Sequence, residues 1–179
     1  MPDEELGEFW KRLLVSRGRP ADLRALAEPG VYALFLRAAA TLPGVAAGSD
    51  GLLYVGKSDR SLAGRSHFTG SSSSSSPRRS LGALLRSELH LRAIPRDGSG
   101  SRSALIHYGF AVSGEWRLSQ WMLDHLDYAF AVVEQPTKAT EARLIAGKTP
   151  PLNLTGWRNP QAPWITAQRR LCQLEATRA

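Results

Sequence analysis

The chain reads as a mixed α/β (α+β) fold, and two kinds of hydrophobic spacing carry that reading. Residues 31–36 and 52–55 are continuous apolar runs next to glycine, the pattern of buried strands. Leu6, Phe9, Trp10, Leu13 and Leu14 recur on one face at helical spacing, and residues 115–126 are amphipathic, with Trp116, Trp121, Met122 and Leu126. At 179 residues and 42% hydrophobic content the chain can bury a real core, as one domain or one domain with sizeable insertions.

The elements follow in order. Acids lead the first helix and Lys11 and Arg12 close it, which suits the helix dipole. It reads as a docking helix without chemistry. A short helix is expected over 21–27, after which Pro29-Gly30 forces an extended start to the strand at 31–36. The connection 37–50 carries a Pro43-Gly44 turn signal and exceeds the usual hairpin loop. Gly70, the six serines 71–76 and Pro77 form a low-complexity segment, expected to be a flexible loop. The next helix should carry Leu81, Leu84, Leu85, Glu88 and Leu89 on one face and Arg79, Arg86 and His90 on another. A second flexible loop is expected at 95–103, an added strand at 105–112, the helix 115–126 and a strand at 128–133. Pro136-Thr137 introduces a helix with Thr137 as N-cap and Gly147 as the residue just past its end. A last helix, 163–175, bears Arg169 and Arg170. No internal repeat is visible.

Formal charge is +7 and the sequence pI is about 10.2, a balance that favours a polyanion, nucleic acid before membrane. Composition leaves open a basic protein with no such partner. Cys172 is the one cysteine, so no internal disulfide forms. Asp3, Glu4 and Glu5 stand where a secretory leader needs positive charge, and no apolar run is long enough to span a bilayer. The expectation is a cytoplasmic protein with no membrane partner, its oligomeric state open and a homodimer among the options.

Gly30-Val31-Tyr32 opens the first apolar run, and Tyr54-Val55-Gly56 closes the second; Lys57, Arg65, Glu141 and Asn153 follow. Hydrolysing a phosphodiester needs an activated water and stabilisation of the charge on the transition state. Glu141 is a hard oxygen ligand of the kind Mg²⁺ takes, and Leu144 and Ile145 at i+3 and i+4 place it toward an apolar helix face. Arg65 offers a planar fork for phosphate. Tyr32 and Tyr54 supply phenols; a phenol is ionised in about one molecule in a thousand at neutral pH, so a cation such as Lys57 or Arg65 is needed beside it. Taken singly, a strand tyrosine is usually packing, a lone arginine a surface charge and a helix-end glutamate solvated. Tyr32, Tyr54, Arg65, Glu141 and Asn153 must all be bland together for that reading to hold.

In this order and chemistry the residues resemble the GIY-YIG endonucleases, closest in motif to the nuclease domain of bacterial excision-repair enzymes. The long loop between the tripeptides resembles that of restriction-type members. The resemblance covers about 29–68 and 126–153 and implies a three-stranded antiparallel sheet flanked by helices, with a large helical insertion at 69–125 before the third strand. It divides the chain into an N-terminal helical segment 1–28, a nuclease-like domain 29–157 and a helical tail 158–179. It implies that Glu141 holds Mg²⁺ (or Mn²⁺), Arg65 the phosphate, that Asn153 braces the site, and that Tyr32 activates water. His67, Arg78, Arg79 and Arg86 join Arg65 as candidate nucleic-acid contacts; homing-type members have a histidine where this chain has Thr69. The expected function is a stand-alone, metal-dependent endonuclease on DNA before RNA, restriction-like, defensive or repair-associated. The alternatives are an inactive nucleic-acid-binding module of the same fold and a basic protein-interaction domain.

Overall fold

In a computed structural model the structure describes residues 3–20, 28–61, 67–133 and 137–179. The chain forms two compact units. The first comprises Met1–Thr41, Ala46–Ser66 and His125–Asn159, and the second Leu42–Val45, His67–Asp124 and Pro160–Ala179. The leading helical segment thus belongs with the sheet, and the C-terminal tail belongs with the insertion.

The first unit is built on an antiparallel sheet of order β2-β1-β5, from β1 (Gly30–Leu36), β2 (Leu52–Ser58) and β5 (Leu126–Val132). β1 is central and buried along its whole length, which is why its sequence is a continuous apolar run. Register divides the side chains between two faces. Val31, Ala33 and Phe35 lie level with Val55 on β2 and with Ala129 and Ala131 on β5. These residues form one core with Phe9, Trp10 and Leu13 of α1 (Asp3–Val15) and Leu144 and Ile145 of α5 (Thr137–Lys148). Truncating fully buried Leu13 to alanine should cost about 2–5 kcal/mol.

Both edges of the sheet are covered, each in part by one side chain that bridges the N–H and C=O of a single strand residue. At β5, Phe130 N–H donates to Ser16 Oγ at 2.7 Å and the Ser16 hydroxyl donates back to Phe130 O at 2.7 Å. Gly18 pairs with Tyr128 beside it. At β2, Asn153 does the same for Val55, as described below. Open edges invite pairing with other chains, and these contacts occupy the middle of both. Asp127 is pinned between Arg17 Nε at 3.0 Å and Arg37 Nε at 2.8 Å.

The second unit contains α2 (Ser76–Leu84), a short ladder of β3 (Ala93–Ile94) and β4 (Gly109–Phe110), α3 (Arg102–Ile106) and α6 (Ala162–Ala176), which packs on α2. α4 (Val112–His125) leads into β5. Several expectations are corrected here. The serine run is ordered: Ser71 caps a 3-10 turn at Ser72–Ser74, and Ser75 caps α2 by accepting from Arg78 N–H, with Pro77 in its first turn. Short hydroxyls repeated at helix starts are capping chemistry, which low complexity hides. α2 ends at Leu84, short of the expected helix through Leu89. The expected strand at 105–112 is split into α3 and β4 by a turn at His107. Gly147 lies inside α5, and the left-handed residue after the helix is Thr149, φ 51°. The expected helix at 21–27 lies outside the described residues, and no described helix is long and apolar enough to cross a membrane.

Candidate active site

The second face of the sheet carries the tyrosines. Tyr32 stands opposite Gly56 on β2 and Phe130 on β5, and Leu34 stands between Tyr54 and Tyr128. Directly opposed residues share a face, so Tyr32, Tyr54 and Tyr128 gather on one side of three strands. Tyr32 is the centre: its ring is 6.1 Å from that of Tyr54 and stacks on that of Tyr128 at 5.6 Å and 16°. Tyr32 is 2% exposed, whereas Tyr54 is half-buried.

Gly56 makes that convergence possible. A Cβ built on it would lie 2.4 Å from the Tyr32 hydroxyl oxygen, 2.5 Å from its Cζ and 2.7 Å from Tyr54 Cε1. The two phenols occupy the space that any side chain at this position would need. The glycine in the second tripeptide is therefore a clearance for the tyrosine of the first.

Asn153 locks the strand between these residues. Its Oδ1 accepts from Val55 N–H at 2.9 Å and its Nδ2 donates to Val55 O at 2.8 Å. Both bonds are buried, and Leu152 N–H adds another to Leu53 O at 2.9 Å. The bend that presents Asn153 is held by two side chains that sequence reasoning missed. Trp157 Nε1 donates to Pro150 O and Asn153 O, each at 3.1 Å, and Asn159 Nδ2 donates to Pro151 O at 2.7 Å. Their contacts are local in sequence but depend on the fold of the bend, which no spacing rule announces.

Tyr128 was also missed as a member of the site. Its strand is readable from apolar content, but its face follows only from the register with β1. Burial pushes its phenol above the ordinary tyrosine range, so it stays protonated and serves as a wall for Tyr32.

Glu141 is half-buried on α5, one turn before buried Leu144 and Ile145, and α5 packs on β2 and β1. Lys57 is not brought to the phenols. It stands opposite Val31, on the other face from Tyr54 and Gly56, and pairs with Asp59. Strand alternation decides this, since Lys57 is three residues from Tyr54. Arg65 lies outside the described residues.

The nucleic-acid contacts expected at Arg78, Arg79 and His67 are corrected by burial. Arg78 is fully buried, its Nη2 2.7 Å from Glu115 Oε2 and its Nη1 donating to His67 O at 2.8 Å. Glu115 also accepts from Ser72 N–H at 2.7 Å and Phe110 N–H at 3.0 Å. Arg79 is 6% exposed and donates to Ser72 O and Ser73 O. His67 is 6% exposed, with Nδ1 2.8 Å from Ser75 Oγ. These groups organise the serine segment and have almost no surface to offer phosphate. Arg86 is half-buried and its Nη1 is 3.5 Å from Glu175 Oε2.

A catalytic metal would have to suit this donor set. Among the described residues no three of His, Cys, Asp and Glu come together. A single hard carboxylate, Glu141, fits Mg²⁺, which binds through one or two carboxylates and keeps its remaining positions for water and substrate phosphate. A family model described as GIY-YIG catalytic domain matches residues 30–175. No curated protein and no solved structure matches the chain.

Proposed function

Since the chain belongs to the GIY-YIG catalytic-domain family, whose activity is that of a nuclease, we propose that it is a metal-dependent endonuclease that hydrolyses phosphodiester bonds in DNA. The observation that carries this reading is the convergence of Tyr32 and Tyr54 over Gly56, on a strand locked at Val55 by Asn153.

The resemblance gives water activation to Tyr32, but Tyr54 is the more exposed phenol and takes that role in its place: as phenolate it accepts the water proton as the water oxygen bonds to phosphorus, the ester P–O bond breaks, and the leaving sugar oxygen takes a proton from solvent. Tyr32, buried between Tyr54 and Tyr128, holds that phenol in place. With Lys57 on the opposite face, Arg65 is the cation that the family pattern supplies to the phosphate and to the phenol's acidity. Glu141 would hold Mg²⁺, which stabilises the charge that builds on the phosphate oxygens. Asn153 acts at one remove, through the strand it fixes.

The test is cleavage of supercoiled plasmid with Mg²⁺ and with EDTA. Glu141→Gln keeps the size and removes the charge, and cleavage should fall by about a hundredfold or more with DNA binding retained. Tyr54→Phe should cost about 10²–10⁴ in rate and Tyr32→Phe less. Wild-type turnover by Glu141→Gln, or cleavage unaffected by EDTA, sinks the metal assignment; full activity in Tyr54→Phe sinks its role.

A further inference from the structure

The excess positive charge is unevenly placed. The unit formed by Leu42–Val45, His67–Asp124 and Pro160–Ala179 holds ten arginines and no lysine against five acids, so five of the seven net charges belong to it. Three of the ten serve its own fold: Arg78 and Arg79 are buried, and Arg117 donates to Leu89 O and His90 O, each at 2.7 Å. Most of the others border the C-terminal half of α6. A groove of about 380 Å³ is lined by Arg86, Arg92 and Arg178 with Leu171 and Leu174. A second, of about 420 Å³, shares Leu174 and is lined by Arg102, Arg170 and Ile106.

Glu175 is the one carboxylate side chain on these walls, and it is engaged by Arg86 Nη1 at 3.5 Å and Ala93 N–H at 3.1 Å. Arg92, Arg102, Arg170 and Arg178 are exposed and, among the described residues, take part in no ion pair. Leu171 and Leu174, 44% and 48% exposed, form a short apolar ridge among them. Partial burial first, and then Arg79, Arg96 and Arg169, hold the His107 imidazole below its ordinary range, a second sign of a positive field on this unit.

We propose that this arginine-bordered ridge of α6 binds the phosphate backbone of nucleic acid, through residues other than those of the tyrosine face. The identity of the polyanion rests on the nuclease reading above. Three observations favour nucleic acid over an acidic protein segment. The cations are all arginine, whose fork matches phosphate bidentately and whose weak hydration tolerates neighbouring leucines. They line two adjoining grooves, which suits a ligand with charge repeated along its length. The chain also belongs to a family of nucleases.

The experiment measures affinity of the full-length chain for a labelled DNA duplex in EDTA, across about 50–200 mM salt. Each phosphate contact contributes about 0.9 to the slope of log affinity against log salt. The pairs Arg92→Gln with Arg178→Gln and Arg102→Gln with Arg170→Gln should each make the slope shallower by about one to two, and all four together by about two to four, with unchanged melting. Arg12→Gln with Arg158→Gln, exposed in the first unit, removes equal charge and should leave the slope unchanged. An unchanged slope in the fourfold variant, or an equal loss in the control pair, overturns the assignment. So does competition by poly-glutamate as strong, charge for charge, as that by unlabelled duplex, which would mark an acidic-protein site. If the wild type binds with this arginine-dependent slope yet cuts no nucleic acid, the endonuclease reading fails and this one stands. If the fourfold variant binds as wild type while Glu141→Gln stops cleavage, the reverse holds.

Discussion

Gly56→Ala tests the tyrosine site directly. The added methyl would fall 2.4 Å from the Tyr32 hydroxyl oxygen and 2.7 Å from Tyr54 Cε1, so each must withdraw by roughly 1 Å to reach ordinary contact. Tyr32 has little room to do so, being 2% exposed and stacked on Tyr128 at 5.6 Å. Overpacking of this kind costs about 1–3 kcal/mol, which for a chain of this length lowers Tm by about 2–12 °C. A displacement near 1 Å at reacting groups costs on the order of a hundredfold in rate. Gly147→Ala is the matched control: it lies inside α5 with nothing within 4 Å of the added carbon. It should stabilise by about 0.4–1 kcal/mol and leave cleavage unchanged. If the clearance at Gly56 matters, calorimetry gives shifts of opposite sign for the two variants and plasmid cleavage falls only in Gly56→Ala. A Gly56→Ala protein that melts and cuts like wild type would refute the reasoning, because the two phenols would then not occupy that space.

Arg78→Ala should destabilise by about 3–5 kcal/mol in denaturant unfolding, since it strands Glu115 with a largely buried, unpaired carboxylate. Exposed Arg92→Ala should stay within about 0.5 kcal/mol of wild type. Asn153→Ala leaves Val55 N–H and C=O buried without partners and should cost about 1–3 kcal/mol, read also as faster amide exchange at Val55. Asn153→Asp should not restore it, because a carboxylate oxygen cannot donate to Val55 O.

By itself the sequence determines the kind and order of elements wherever one periodicity dominates. The runs at 31–36 and 52–55 and the stripe Leu6, Phe9, Trp10, Leu13 describe faces that must be buried, and burial needs no knowledge of the partner. The ordered set Tyr32, Tyr54, Arg65, Glu141 and Asn153 likewise points to the family, whose model matches residues 30–175. Where two strands must first be aligned, the sequence is silent. Register with β1 is what sets Tyr128 against Tyr32, sends Lys57 to the opposite face and leaves Gly56 beneath two phenols. The basic residues show the same limit. On a helical wheel Arg79 and Arg86 read as an exposed stripe, and adjacent Arg78 as one more surface cation. Only the packing of α2 against α6 and the carboxylate of Glu115 reveals that Arg78 and Arg79 are interior. A guanidinium is drawn inside when carbonyls and a carboxylate converge to replace its water, and those partners come from segments up to 37 residues away. The identity of a side chain is local; the company that decides whether it faces water or protein is tertiary.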